Sequence, residues 1–98
     1  MNIQAMMKQA QQLQKDMTKA KNEIDETVYT GKSSFVTATV KGTKEIISVK
    51  IDSDELSKED IEMLEDMIVV AINDANKKID ADIDSKLGKY TKGMPGLF

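Results

Sequence analysis

The chain has 98 residues and a net charge of −3, with no cysteine, no histidine and no tryptophan. This length suits one domain, and the composition excludes disulfides, thiolate metal sites and histidine chemistry. No apolar run approaches the ~20 residues that span a bilayer, and no secretory signal pattern opens the chain. We therefore expect a soluble cytoplasmic protein without membrane contact.

The charges are distributed unevenly along the chain. Residues 1–22 and residues 27–50 each carry +3, whereas residues 51–66 hold eight acids and one lysine, a charge of −7. Basic surface is therefore compatible with the acidic total. All fourteen positive residues are lysines. Lysine is a point charge, whereas arginine makes the bidentate contacts that read guanine, so strong base readout by side chains is not expected.

The first predicted element is a helix over about residues 2–26, with Asn2 as a candidate N-cap. Its apolar residues are spaced alternately three and four apart, which is the pattern of a coiled-coil seam. The seam residues are Ile3, Met6, Ala10, Leu13, Met17, Ala20 and Ile24. So narrow a stripe buries little surface alone, and we expect it to lie against another helix, for example one from a second copy. The lysines of this helix lie off the seam and fit either a solvated face or a row of phosphate contacts.

Three strands are predicted next, over about residues 27–32, 35–41 and 45–51. The second and third strands alternate apolar and polar residues across a turn at residues 41–44, which predicts an antiparallel hairpin. Their apolar faces are formed by Val36, Ala38 and Val40 in the second strand and by Ile47, Val49 and Ile51 in the third. A three-stranded sheet with one apolar face needs a covering layer.

A second long helix, over about residues 57–87, is expected to supply that layer. Ser57 and Asp60 predict a capping box with Asp in place of the usual Glu, and further acids in the first turns complement the helix dipole. Its apolar residues occupy much of the helix circumference, which predicts cover by the sheet and by a partner subunit. Gly88 is the expected C-cap, followed by a flexible tail over residues 88–98. The fold class is α+β, with one domain over residues 1–98.

The residues that common enzyme and metal sites require are missing. Without histidine the usual general base is absent, and the glycines and serines form no phosphate loop or nucleophile elbow. Asp80, Asp82 and Asp84 resemble the start of a calcium loop, but Ser85 and Thr91 occupy the positions that need Gly and Glu. We expect no catalytic residues, no metal site, no cofactor and no small-molecule substrate.

Several short motifs follow one another in a specific order over nearly the whole chain. They are MMKQAQQLQ at residues 6–14, Thr30-Gly31, the turn at Gly42, SVKID at residues 48–52, MLED at residues 63–66, AINDA at residues 71–75 and GMPG at residues 93–96. Their order and spacing resemble the YbaB/EbfC family of bacterial nucleoid-associated proteins. The resemblance implies a tweezer-like homodimer that binds double-stranded DNA in the nucleoid and alters its conformation.

Under this resemblance the first helix is the expected DNA contact. About 23 helical residues span ~34 Å, close to one turn of B-DNA. We assign phosphate contact to Lys8, Lys15, Lys19 and Lys21, with Lys86, Lys89 and Lys92 as secondary candidates. An alternative stays open, because a methionine-rich seam is adaptable and also suits a coiled-coil interaction or a chaperone-like dimer with no DNA role.

Overall fold

The computed structural model describes residues 2–91. The elements are helix α1 (Ile3–Glu26), strands β1 (Val28–Ser33), β2 (Val36–Lys41) and β3 (Ile46–Ile51), a 3-10 turn (Lys58–Asp60) and helix α2 (Ile61–Thr91). This is the α+β architecture that the sequence predicts.

The end of α2 differs from the expectation. The helix continues through Gly88 to Thr91, so Gly88 is not its C-cap. One helical glycine costs only about 1 kcal/mol, and Leu87, which is buried, anchors this part of the helix. Residues 92–98 of the expected tail lie outside the described residues.

Both helices begin with the capping groups that the sequence indicates. The Oδ1 atom of Asn2 accepts bonds from the backbone N–H groups of Gln4 (3.0 Å) and Ala5 (3.4 Å). The carboxylate of Asp60 accepts from the Ser57 backbone N–H (3.0 Å) and hydroxyl (3.2 Å). The Asp60 N–H bonds back to the Ser57 carbonyl oxygen (3.0 Å), which closes the 3-10 turn ahead of α2.

The sheet has the strand order β1-β2-β3 and is antiparallel throughout. Its inner face is built on Val36, Ala38 and Val40, all fully buried. The third strand departs from the prediction, because all six of its residues are exposed. A register shift next to Thr39 and Val40 also brings Ile46, rather than Ile47, opposite Val40.

Helix α2 packs on the inner face, across β1 and β2 but hardly onto β3. A glycine permits this placement. A Cβ atom at Gly31 would lie 1.9 Å from the carbonyl oxygen of Ala71 and 2.4 Å from the backbone nitrogen of Ala75. The helix therefore sits directly on the backbone of β1, and its small residues set the distance.

The core is thin and the molecule is long. Its buried apolar residues are Ile24, Val36, Ala38, Val40, Ala71, Ala75, Ile79 and Leu87. The molecule measures 71 × 21 × 15 Å, with a radius of gyration of 19.3 Å. A compact chain of this length would have a radius of gyration of about 13 Å. The accessible surface is 7408 Å², whereas about 5,600 Å² is typical of a compact monomer of this mass. The single chain thus leaves an unusual amount of surface uncovered.

Candidate nucleic-acid interface

Three of the predicted lysines form a row on α1. Lys8, Lys15 and Lys19 are exposed and make no salt bridge among the described residues. At 3.6 residues per turn they fall within about 40° of one another, nearly opposite the apolar stripe. The helix therefore separates its apolar and cationic sides, and the row extends for about 16 Å along the axis.

Acidic residues limit this row at the body end of α1. Glu23 and Glu26, both exposed, lie on or near the same side of the helix, one to two turns beyond Lys19. Toward the N-terminus the nearest acid is Asp16, which accepts a bond from the Gln12 amide (3.0 Å) rather than from a lysine. The free cationic segment is therefore the part of α1 from Lys8 to Lys19.

The other predicted lysines are placed differently. The Nζ atoms of Lys21 and Lys86 lie 3.1 Å from the carboxylates of Asp25 and Asp82, respectively. Such i,i+4 pairs are worth only about 0.3–0.5 kcal/mol, so a phosphate can compete for these ammonium groups. The ammonium of Lys89 lies 5.0 Å from the centroid of the Tyr90 ring. Lys92 lies outside the described residues.

The apolar stripe of α1 changes its surroundings along the helix. Ile24 is 2% exposed, and it lines a cavity of about 210 Å³ together with Ile83 and Leu87 of α2. Leu13, Met17 and Ala20 are half-buried and Ala10 is exposed. Ile3 and Met6 are 72% and 54% exposed. The end of the stripe is thus used within the chain, and its N-terminal part is uncovered.

Strand β3 forms a second uncovered apolar surface, which the sequence pattern does not predict. The exposed side chains of β3 include Ile46, Ile47, Val49 and Ile51. Val49 and Ile51 lie opposite Ala38 and Val36 and so share the inner face of the sheet, but α2 does not extend over them. The sequence pattern shows that this face is apolar, but not that the covering helix is too narrow to reach it.

The acids in the first turns of α2 lie at the opposite end of this helix from its contact with α1. Glu62, Glu65 and Asp66 are in the first turns of α2, whereas α1 meets α2 near Ile83 and Leu87. Between about 17 and 25 helical residues separate these positions, which corresponds to roughly 26–37 Å. That distance is several times the Debye length of about 8 Å at physiological salt, so these acids hardly affect the cationic row.

The junction of α1 and the sheet is tied to α2 by a polar contact. The Tyr29 hydroxyl donates a hydrogen bond to the Asp82 carboxylate, which also pairs with Lys86. Burial, together with the neighbouring carboxylate, raises the pKa of Tyr29 to about 12. The hydrogen bond from Tyr29, helped by Lys86, lowers the pKa of Asp82. Both shifts favour the neutral phenol and the charged carboxylate near pH 7.

Residues 2–91 contain neither a candidate metal site nor a membrane-spanning helix. These residues contain no cluster of three or more acidic side chains that could hold a metal ion. In the same range, neither helix is long and apolar enough to cross a bilayer.

The sequence of this chain is similar to that of a known protein family. A model of the YbaB/EbfC DNA-binding family matches residues 1–94. The chain belongs to this family. Its members are described by DNA binding rather than by a catalysed reaction. The resemblance that the sequence motifs indicate is therefore confirmed.

Individual relatives of the family cover nearly the whole chain. A nucleoid-associated protein of Enterococcus faecalis is 43% identical in an alignment of 98 positions that covers 98% of this chain and 94% of the relative. One from Lactococcus lactis is 45% identical in an alignment of 97 positions that covers 97% of this chain and 98% of the relative. The crystal structure of the uncharacterized protein HP0035 from Helicobacter pylori superposes with a TM-score of 0.73 at 21% identity, over 92% of this chain and 97% of that one. This last similarity confirms the fold alone.

Proposed function

We propose that this chain is a nucleoid-associated protein that binds double-stranded DNA through lysine–phosphate contacts made by α1. The observation that carries the proposal is the row of Lys8, Lys15 and Lys19, which is exposed, free of salt bridges among the described residues and opposite the apolar stripe. Family membership and the names of the relatives support DNA as the partner and the nucleoid as the location.

The chemistry of the row favours binding without sequence specificity. Ammonium groups contact phosphate oxygens and release counterions, and these contacts supply affinity without reading bases. No arginine is present to contact guanine in the bidentate manner. We therefore expect similar affinities for duplexes of different sequence. We also expect a change of DNA conformation that depends on where α1 lies along the duplex.

A salt series tests the assignment. We compare the wild-type chain, an α1 variant (Lys8→Gln, Lys15→Gln, Lys19→Gln) and a control variant (Lys44→Gln, Lys58→Gln, Lys77→Gln) by fluorescence anisotropy with a labelled duplex. The two variants have the same net charge. Each lost phosphate contact lowers the slope of log affinity against log salt by about 0.9, so the α1 variant should lose about 2.7 per protomer. If it matches the control variant in affinity and slope, the α1 assignment is wrong.

We further propose that the protein acts as a homodimer. The α1 stripe, predicted as the seam from Ile3 to Ile24, leaves apolar side chains uncovered at its N-terminal end, while Ile24 is buried within the chain. The edge strand β3 adds a second uncovered surface, and it offers unpaired backbone groups as well as apolar side chains. An edge strand can pair antiparallel with its own copy about a two-fold axis, so we favour β3 as the main contact.

Sedimentation of point variants distinguishes these two surfaces. Val49→Lys places a charge on the inner face of β3, whereas Ser48→Lys places it on the outer face of the same strand as a matched control. We expect Val49→Lys to be a monomer and Ser48→Lys to remain a dimer. If Met6→Lys dissociates the dimer instead, the seam is the α1 stripe. A monomeric wild-type chain at micromolar concentration would refute the dimer.

The exposure of Ile3, Met6 and Met7 favours one alternative function. An adaptable methionine-rich surface at the free end of a helix also suits binding of a partner helix or an unfolded chain. Such binding depends on apolar contact and survives high salt, unlike phosphate binding. An absence of DNA binding at 50 mM salt would favour this alternative.

A further inference from the structure

The outer face of the sheet carries lysines and no carboxylate. The three strands read VYTGKS, VTATVK and IISVKI and contain no acidic residue, although the chain has seventeen. The register aligns Lys32 with Thr37 and Thr37 with Lys50 in one cross-strand row, and it places Lys41 opposite Val28. Residues directly opposite share a face, and these alternate with the buried Val36, Ala38 and Val40. The three lysines therefore project together, away from α2.

No salt bridge within residues 2–91 uses these ammonium groups. Lys32 and Lys50 are exposed, Lys41 is half-buried, and none of the three belongs to a salt bridge among the described residues. Glu45 and Asp52 flank β3 and lie just outside its two ends. Hydroxyl side chains occupy most of the remaining outer positions, namely Thr30, Thr37, Thr39 and Ser48. Such hydroxyls donate hydrogen bonds to phosphate oxygens.

The spacing of the lysines suits an extended polyanion. Adjacent strands lie about 4.8 Å apart, so Lys32 and Lys50 are roughly 10 Å apart at their Cα atoms. Lys41 is four residues along β2 from Thr37, or about 13 Å. The triangle is larger than a single phosphate but is comparable with a few nucleotides of a DNA backbone, which advances about 3.4 Å per step.

Protection of sheet edges does not account for the whole pattern. Lysines on edge strands hinder unwanted pairing with other chains, and this accounts for Lys32 on β1, whereas β3 is the strand proposed to pair with its own copy. Lys41, however, lies on β2, the central strand, which has no open edge. A lysine there contributes to the charge of the face rather than to the protection of an edge.

We propose that this outer face is a second DNA-contact surface, on which Lys32, Lys41 and Lys50 bind backbone phosphates of double-stranded DNA. This inference rests on the proposed function, because it takes the same partner. It adds a contact on the body of the protein to the contact on α1. The face has no arginine, asparagine or glutamine, so it binds without base readout.

The test is a sheet variant, Lys32→Gln, Lys41→Gln and Lys50→Gln, with the same net charge as the control variant of the salt series above. Three lost phosphate contacts lower the salt slope by about 2.7 per protomer. Between 50 and 200 mM salt, the wild-type chain should then lose about 40-fold more affinity than the sheet variant for each protomer that contacts the duplex. The control variant should retain the wild-type slope.

The possible outcomes separate this inference from the proposed function. If the wild-type chain binds duplex DNA and the sheet variant matches the control variant, the outer face is not a contact surface and only this inference is overturned. If the wild-type chain fails to bind duplex DNA at 50 mM salt, the proposed function is refuted, and this inference with it.

A measurement on the unaltered chain covers the case in which the sheet variant fails to fold. Lysine acetylation, followed by mass spectrometry, is compared with and without duplex DNA. We expect DNA to protect Lys32, Lys41 and Lys50 several-fold more strongly than Lys58 and Lys77. Equal protection of these two groups of lysines by DNA would overturn the proposal.

Discussion

Replacing Gly31 by alanine tests the close packing of α2 on β1. The added Cβ would lie 1.9 Å from the Ala71 carbonyl oxygen, whereas ordinary contacts begin near 3.4 Å. The helix must therefore retreat by about 1.5 Å, and a gap of 0.5–1 Å already forfeits a quarter to a half of the dispersion energy of each contact. We expect a loss of at least about 3 kcal/mol in the free energy of unfolding, since the obstacle is backbone and not a movable side chain.

This loss is large for so small a domain. Natural domains of this length are stable by about 5–15 kcal/mol, and 1 kcal/mol shifts Tm by about 4–8 °C. Thermal unfolding followed by circular dichroism should thus show Tm lowered by more than about 12 °C, at a fixed protein concentration. Gly88→Ala is the matched control, because its Cβ would meet nothing within 4 Å and alanine favours the helix. It should raise Tm by a few degrees. A Gly31→Ala variant with an unchanged Tm would refute the close approach of β1 and α2.

Three further predictions concern the joints of the fold. Gly42→Ala places a Cβ 1.7 Å from the carbonyl oxygen of Ile24, in the last turn of α1. It should lower the free energy of unfolding by about 2–3 kcal/mol, as measured by urea titration. A loss below about 1 kcal/mol would contradict the close contact between the turn at Gly42 and α1. Tyr29→Phe removes the bond to Asp82 and should cost about 1 kcal/mol at pH 7. Because the pKa of Tyr29 is raised, the stability that its hydroxyl contributes is complete below pH 10 and is lost as pH rises toward 12. Because the pKa of Asp82 is lowered, the stability that its carboxylate contributes is lost on acidification below about pH 4. A wild-type minus variant difference that is constant across these two ranges would speak against the contact. Ser57→Ala removes the hydroxyl that donates to the Asp60 carboxylate and should lower the unfolding free energy by about 0.5–1 kcal/mol. An unchanged unfolding free energy would show that the turn does not depend on this bond.

The sequence predicts the order and type of the elements because each has its own periodicity. The three-and-four spacing of α1 and the alternation of β2 follow from backbone geometry and need no tertiary information. The capping roles of Asn2 and Ser57 are equally local. The end of α2 was misplaced because Gly88 is a local signal, whereas the burial of Leu87 is a tertiary one.

The surfaces were harder to predict, because they depend on what the elements do not cover. The apolar pattern of β3 predicts burial, but α2 is one helix wide and rests on β1 and β2, so Val49 and Ile51 stay exposed. The salt bridge of Lys21 follows from its i,i+4 spacing to Asp25 and could have been anticipated. The shared outer face of Lys32, Lys41 and Lys50 requires the strand register, which the sequence alone does not give.

The connection between α1 and the sheet consists of a single residue. Thr27 bonds through its backbone N–H and its hydroxyl to the last turn of α1, and its carbonyl accepts from the Gly42 N–H (2.9 Å). These bonds hold the direction in which α1 leaves the sheet. Under the proposed contact of α1 with double-stranded DNA, a mismatch between this direction and a straight DNA helix would have to be absorbed by bending or twisting the DNA, whose deformation depends on its sequence.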